Sequence, residues 1–376
     1  MTSGLRLAGC LLLTALGGTV AAQSPGFLRG VDISFIEQYE AAGFAFKEAG
    51  APKDLIDLMA DRGVNSVRLR LWHTPPDGHN TTAETLQAAR RIKARGLHFL
   101  LDFHYSDWWA DPGQQNKPAA WAGLSFPELT TTIRTYTRDV IRALNDQGTL
   151  PDMVQLGNEI TPGMLWDEGR VGGSFDTTAQ WNRLAALLSA ASAGVDEGLN
   201  PGQSVQIMIH IDRGGDSAAS RWYFDRLRST GFDFDVIGLS YYPFFHGTLT
   251  DMEANLRALE SRYQQPLVIV ETAYPWTLAW NDNTGNFVGL ESQLHVGYPA
   301  TVAGQRRYLE DLMAIVQAVP NNRGLGVYYW APEYVAIPAV PSPYENVALF
   351  DFQGNALDSL SAFQPTNDLP DAWILH

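Results

Sequence analysis

Cysteine is all but missing from this chain: Cys10 is the only one among 376 residues. It sits in an apolar stretch at the amino terminus, so the chain beyond it can form no disulfide and offers no thiolate for catalysis or metal ligation. Stability must come from a buried core. Basic residues are also scarce, with 26 Lys and Arg against 41 Asp and Glu for a net charge of -15, which disfavours nucleic acid and other polyanionic partners. No later apolar run is long enough to span a bilayer. No Gly-rich phosphate turn follows the first candidate strand, which argues against a dinucleotide-binding open sheet. No His-x-His or clustered histidine ligands end that strand either, so a metal-dependent barrel hydrolase has no support. Internal repeats beyond the strand and helix unit, low-complexity tracts and Pro/Ser linkers are likewise absent, which leaves no signal for an appended module.

What is present begins with Arg6, the apolar run Leu7 to Leu16, and the small residues Val20-Ala21-Ala22, the pattern of a cleavable export signal. The spacing predicts a leader over 1–22 and a mature chain of net charge -16, because Arg6 is the one charged residue removed. A secreted or periplasmic location follows, with no membrane attachment after cleavage. Leu7-Ala8-Gly9-Cys10 resembles a lipobox, but most of the apolar stretch follows Cys10, leaving almost no apolar region ahead of such a cleavage point. With 45% hydrophobic residues, residues 23–376 suit one large barrel-sized domain, expected to be monomeric. The 11 Trp, 14 Tyr and 17 Phe suit flat platforms for sugar rings, although aromatic residues also fill cores.

Short β-rich apolar runs alternate with longer amphipathic ones about eight times. The candidate strands are Arg29 to Ser34, Ser66 to Trp72, His98 to His104, Met153 to Glu159, Val205 to Ile211, Asp235 to Tyr242, Leu267 to Glu271 and Leu325 to Trp330. Helical spacing marks Asp54 to Arg62, Ala83 to Ala94, Thr130 to Asn145, Ala179 to Val195, Ala218 to Arg228, Asp251 to Tyr263 and Ala303 to Val316. Gly63, Gly96 and Gly231 fall just past helix ends. Strands alternating with helices imply parallel pairing, and eight units over this length predict a single (β/α)8 barrel rather than an open sheet. The long stretches after strands three, seven and eight (Tyr105 to Phe126, Thr272 to Pro299, Ala331 to Gly354) would build its active face.

Two glutamates end apolar strands of this barrel. Period two on Met153-Val154-Gln155-Leu156-Gly157-Asn158-Glu159 sends Val154 and Leu156 towards the helices and Glu159 into the lumen; on Leu267 to Glu271 the same count sends Val268 and Val270 outward and Glu271 inward. A carboxylate there carries an uncompensated desolvation cost unless something uses its charge, and glycoside cleavage with retention needs such a pair about 5 Å apart. Strand two, Val67-Arg68-Leu69-Arg70-Leu71-Trp72, turns both arginines inward, where Asp32 and Asp102 have matching parity. Arg70, nearer the rim, is expected to hold Glu271 ionised, with Arg68 deeper and structural. His104, at the end of strand three, is expected to contact a ligand. Tyr242 could donate a hydrogen bond to Glu271, and Trp330 would form the floor under a bound ring.

At this point the ordered set of motifs resembles glycoside hydrolase family 53, the arabinogalactan endo-β-1,4-galactanases. The markers are Gly30-Val31-Asp32-Ile33-Ser34, Arg68-Leu69-Arg70-Leu71-Trp72, the run from Asp102 through Asp107 and Trp109 to Pro112, Gly157-Asn158-Glu159, Ser240-Tyr241-Tyr242-Pro243, Glu271-Thr272-Ala273-Tyr274-Pro275 and Tyr329-Trp330. The resemblance implies that Glu159 is the acid/base, Glu271 the nucleophile and β-1,4-galactan the substrate, with Asn158 on the sugar 2-hydroxyl. Asp32, Arg70, His104, Asp107, Trp109, Tyr242 and Trp330 complete the expected substrate-binding set. It implies no cofactor for the chemistry. Some relatives hold a structural calcium in the loop after strand seven; here Asp282 and Asn286 remain, but Trp280 and Thr284 stand where an acidic residue and a histidine would be expected. The rival readings are a barrel glycosidase acting on mannan, xylan or glucan, and a catalytically silent carbohydrate-binding protein.

Overall fold

The computed structural model describes residues 26–365, so the leader expected over 1–22 lies outside the described residues. Eight parallel strands close into a barrel: β1 (Leu28–Asp32), β2 (Ser66–Leu71), β3 (His98–Phe103), β4 (Met153–Leu156), β5 (Gln206–Ile211), β6 (Val236–Ser240), β7 (Leu267–Thr272) and β8 (Gly324–Trp330). Each pairs with its neighbours in chain order, and β8 closes on β1 with Asp32 opposite Trp330. The helices α1 (Leu55–Asp61), α2 (Thr82–Ala94), α3 (Phe126–Asp146), α4 (Thr178–Gly198), α5 (Ser217–Ser229), α6 (Leu249–Tyr263) and α7 (Val302–Gln317) fall where the helical spacing predicted them. Local chemistry starts them. Thr81 with Glu84, and Thr248 with Asp251, form reciprocal capping boxes, while Asp54, Thr177, Asp216 and Thr301 accept amide hydrogens of the first turn.

Two apolar regions divide the strand side chains. The larger lies between strands and helices and takes Val67, Leu69, Leu71, Val154, Leu156 and Ile269. The smaller fills the lower lumen with Leu28, Leu100, Met153, Met208, Val236, Val268, Val270 and Tyr328. Val268 and Val270 therefore face the lumen, not the helices as their alternation with Glu271 predicted. A register irregularity between Ile269 and Thr272, opposite another between Leu239 and Ser240, breaks the period. The extra residue re-aims Glu271 inward although Val270 before it already points there.

Above the apolar layer the lumen turns polar, with Asp32, Arg68, Arg70, Asp102, Gln155, His210, Ser240 and Glu271 all buried. The loops after β3, β7 and β8 contribute Trp109, Phe287 and Tyr344 to the cleft at this end, as their length predicted. Four small features had no sequence signal: helices over Ile36–Ala41 and Pro243–His246, and two-residue hairpins pairing Lys47–Glu48 with Ala51–Pro52 and Gly163–Met164 with Gly169–Arg170.

The lower lumen leaves no slack. A Cβ at Gly30 would lie 2.2 Å from the Tyr328 ring, which is fully buried and tied through its hydroxyl to Ser66 at 2.6 Å. Gly30→Ala should therefore lower the unfolding free energy by about 1–3 kcal/mol through overpacking, measured by urea denaturation. An unchanged midpoint would mean that the Tyr328 ring is free to move.

Candidate active site

Glu159 reaches the cleft by leaving β4 early. The strand ends at Leu156, three residues short of the predicted end, because Gly157 turns at φ 84° and Glu159 itself adopts φ 47°. A Cβ at Gly157 would meet Ile160 at 2.6 Å, so glycine is required there on two counts. A left-handed backbone at a glutamate is strained and persists only where the surroundings hold it. Here the Glu159 amide donates to His210 Nδ1 at 3.3 Å and its Oε1 accepts from Ser240 Oγ at 2.6 Å. The carboxylate thus lines the cleft beside Glu271, with Asp32, Asn158, Tyr242 and Trp330.

Arg68 organises the other side. Its Nη1 donates to Asp32 at 2.8 Å and to Glu271 Oε1 at 2.9 Å; its Nη2 donates to Asp102 at 2.8 Å and Asn158 Oδ1 at 2.9 Å; its Nε donates to Gln155 at 3.2 Å. The five hydrogens of the guanidinium find five acceptors. The role expected of Arg70 therefore belongs to Arg68. Strand stagger is the reason, since β2 pairs with β1 so that Arg68, not Arg70, lies level with Asp32. Arg70 makes no side-chain hydrogen bond among the described residues. Its guanidinium stacks on Phe35, Trp72 and Trp109 at 4.2, 4.6 and 4.2 Å.

Burial raises both glutamates. Glu271 is pushed up to about 7 by burial, against the pull of Arg68 and the Tyr242 hydroxyl, so Arg68 limits the rise rather than holding the group in the ordinary carboxylate range. Glu159 is driven well above its ordinary value by burial, then by the charges of Glu271 and Asp212. The two groups share a field, and of the pair Glu271 gives up its proton first.

The remaining predicted residues divide. Tyr242 donates to Glu271 Oε2 at 3.0 Å, as its inward parity suggested. Trp109 and Trp330 line the cleft, their ring centroids 6.1 Å apart. Asn158 is held by Arg68 at Oδ1 and donates to the Ala110 carbonyl at 2.8 Å. Asp32 also lines the cleft, but its oxygens are taken by Arg68 and by the amide and hydroxyl of Ser34. His104 lines the cleft too, yet both ring nitrogens are used: Nδ1 accepts from Trp72 and the Ala110 amide, each at 3.2 Å, and Nε2 lies 3.0 Å from Asp102. It can offer a ligand only a carbon edge. Asp107 is not part of the cleft; its carboxylate accepts the amides of Thr74 and Ala119 at 2.9 and 2.8 Å, tying two loops together. Residues unremarked in the sequence also line the site, namely Asp212, Phe245, Phe287, Tyr334 and Tyr344, with His210 just beneath. His210 had a usable signal, because it stands near the end of β5 with the inward parity of Met208.

In the loop after β7, Asp282 accepts the Thr284 amide at 2.6 Å with one oxygen and the Ser342 amide at 3.1 Å with the other. Glu345 accepts the Asn281 amide at 2.6 Å and Asn346 donates to Thr277 and Val288 carbonyls. Buried carboxylates and amides thus tie this loop to the one after β8. No group of three or more His, Cys, Asp or Glu residues suited to a metal occurs among the described residues.

Comparison with known proteins identifies the family of the chain and matches its fold. The model of glycosyl hydrolase family 53 matches residues 28–363. An arabinogalactan endo-beta-1,4-galactanase of Cellvibrio japonicus is 34% identical, with 97% of each chain covered. A protein of the bgaB 5′ region of Niallia circulans is 47% identical over 92% of this chain and 96% of its own. The solved GH53 catalytic domain of Ignisphaera aggregans superposes with a TM-score of 0.83 at 37% identity, covering 90% of this chain and 95% of that one.

Two outcomes test the electrostatics. Arg68→Met strands three buried carboxylates and should cost about 3–5 kcal/mol in urea denaturation at pH 7, whereas Arg70→Met breaks no hydrogen bond and should cost under about 1 kcal/mol. Equal losses would contradict the assignment of the ion-pair network to Arg68. Glu333, buried with Oε1 on the Phe35 amide and pushed up to about 8 by burial, shares its direction of shift with Glu271. Both are raised above the ordinary value of 4.5, so the stability they contribute is fully present below that value and is lost progressively as pH rises from there through about 7 to 8. Thermal midpoints should fall from pH 5 to pH 8.5, and Glu333→Gln should flatten that fall; a midpoint that rises over this window would refute the shifts.

Proposed function

The chain belongs to glycosyl hydrolase family 53, and from that membership we propose that it is a retaining endo-β-1,4-galactanase in which Glu271 is the nucleophile and Glu159 the acid/base. The observation that carries this reading is the pair of glutamates lining one cleft, Glu271 buried and Glu159 half-buried, with their carboxylates held differently, one by Arg68 and Tyr242, the other by Ser240. Glu271, the more acidic, is ionised while Glu159 still holds its proton, the division of labour that double displacement requires.

In the first half-reaction a Glu271 carboxylate oxygen bonds to the anomeric carbon. The bond from that carbon to the glycosidic oxygen breaks, and the Glu159 proton passes to the departing oxygen. In the second half, a water oxygen bonds to the same carbon, its proton returns to Glu159, and the ester to Glu271 breaks. Two inversions leave the configuration unchanged. Arg68 and Tyr242 orient the nucleophile, and Trp330 with Trp109 supplies apolar faces for the ring.

Grooves continue the cleft on both sides, which supports cutting within a chain. One runs past Trp72, Trp108, Trp109 and Tyr334; the other, beyond Pro112 on the Glu159 side, past Trp166, Phe175 and Trp222. The proposed substrate is the β-1,4-galactan side chain of pectin, and the proposed setting is outside the cytoplasm, after loss of a leader over 1–22 from a domain spanning 23–376. No described helix is long and apolar enough to cross a membrane. A monomer without nucleic-acid partner or catalytic cofactor completes the proposal.

Product analysis on debranched galactan should show galacto-oligosaccharides of several lengths from the first minutes, with the β anomer formed first in proton NMR. Glu271→Ala should lower turnover on the order of 10⁴-fold or more with the fold retained. Near wild-type release of oligosaccharides by that variant would sink the assignment, and preferential cleavage of mannan, xylan or glucan in a parallel panel would sink the substrate.

A further inference from the structure

His210 and Ser240 are buried polar residues with no part in the chemistry above, yet together they form a chain that ends on Glu159. Both have no exposed surface. His210 Nε2 lies 2.8 Å from Ser240 Oγ, and Ser240 Oγ lies 2.6 Å from Glu159 Oε1. The direction of this chain follows from the other ring nitrogen. His210 Nδ1 accepts the Glu159 amide at 3.3 Å, while the two hydrogens of Gln155 Nε2 go to Asp102 Oδ1 at 2.7 Å and the Gly157 carbonyl at 3.0 Å. An amide N–H can only donate, so Nδ1 presents its lone pair and the ring hydrogen stands on Nε2. Asn158 Oδ1 also approaches Nδ1, at 3.0 Å, and that oxygen is served by Arg68 Nη2 at 2.9 Å. Burial and the charge of Arg68 hold the imidazole well below its ordinary pKa, so it stays uncharged. With Nε2–H donating to Ser240 Oγ, the serine hydroxyl has one acceptor left among the described residues, Glu159 Oε1.

We propose that Ser240 and His210 are positioning residues for Glu159: the imidazole fixes the serine hydroxyl as a donor to Oε1, so that Oε2 is the oxygen that carries and delivers the transferable proton. The proposal rests on Glu159 being the acid/base. Oε1 is engaged as an acceptor in both protonation states, so the proton resides on Oε2. From there it passes to the glycosidic oxygen as that bond breaks, and to Oε2 returns the proton of the attacking water. The same hydrogen bond stabilises the carboxylate and tempers the upward shift that burial and Glu271 impose. The left-handed backbone at Glu159 fits this reading, because His210 holds the amide of the residue whose carboxylate Ser240 holds.

Ser240→Ala removes the donor with little change of volume. It should be compared with wild type and Glu159→Ala on debranched galactan and on a dinitrophenyl β-galactobioside, whose leaving group departs without a proton. Ser240→Ala is expected to lose about tenfold or more in kcat/KM on galactan and less than about threefold on the activated glycoside. The alkaline limb of its galactan profile should move up in pH, because the carboxylate has lost a donor. His210→Gln, whose amide can still donate to Ser240, should retain more activity than Ser240→Ala. Equal losses on the two substrates, no loss on either, or an alkaline limb that stays or moves down would overturn the proposal. Glu159→Ala separates the two readings: if it spares the activated glycoside and yields a β-galactosyl azide with added azide while Ser240→Ala shows no such selectivity, only the positioning role falls. If Glu159→Ala loses both substrates equally without azide rescue, the acid/base assignment falls and the positioning role with it.

Discussion

The site depends on one buried cation. Arg68 is surrounded by Asp32, Asp102 and Glu271 within 2.9 Å and by the amide oxygens of Asn158 and Gln155. In the low-dielectric lumen an unpaired guanidinium or carboxylate would be costly to bury, and the arrangement is tolerated only because each donor meets an acceptor. Such a network couples geometry to charge, since moving any member leaves another unsatisfied. The barrel makes it attainable by bringing side chains from separate strands to one level of a closed cylinder, above an apolar plug centred on Tyr328.

On the opposite wall Glu159 keeps its proton because burial, with the charges of Glu271 and Asp212, disfavours its carboxylate. A hydroxyl, an imidazole and a strained turn hold it in place. Two residues of the same type thus acquire different acidities from their surroundings alone. Aromatic residues complete the contrast: Phe35, Trp72 and Trp109 surround Arg70, a cation that the ion-pair network does not use.

Much of this was legible beforehand because it is periodic. The eight strands, seven of the helices and the loops that build the active face follow from hydrophobic spacing and turn residues, which act over a few positions. Parity locates Arg68, Asp102 and Tyr242 in the lumen. It failed where the backbone departs from regular geometry. Strict alternation sends Val268 and Val270 to the wrong side because a bulge precedes Glu271, and it carries β4 to Glu159 although the strand ends at Leu156. Glu271 was placed in the lumen by a count that the bulge invalidates, so the result was right for a reason that does not hold.

The sequence by itself determined the alternating architecture, the two glutamates at strand ends and the family motifs, because these depend on residue type and local spacing. Only the tertiary structure decided that Arg68 rather than Arg70 meets Glu271, that Asp107 ties loops instead of lining the cleft, and that His210 and Ser240 converge on Glu159. Those relations are set by the stagger between neighbouring strands and by positive-φ turns at their ends. They join positions up to 203 residues apart, and no local pattern carries the register that brings them together.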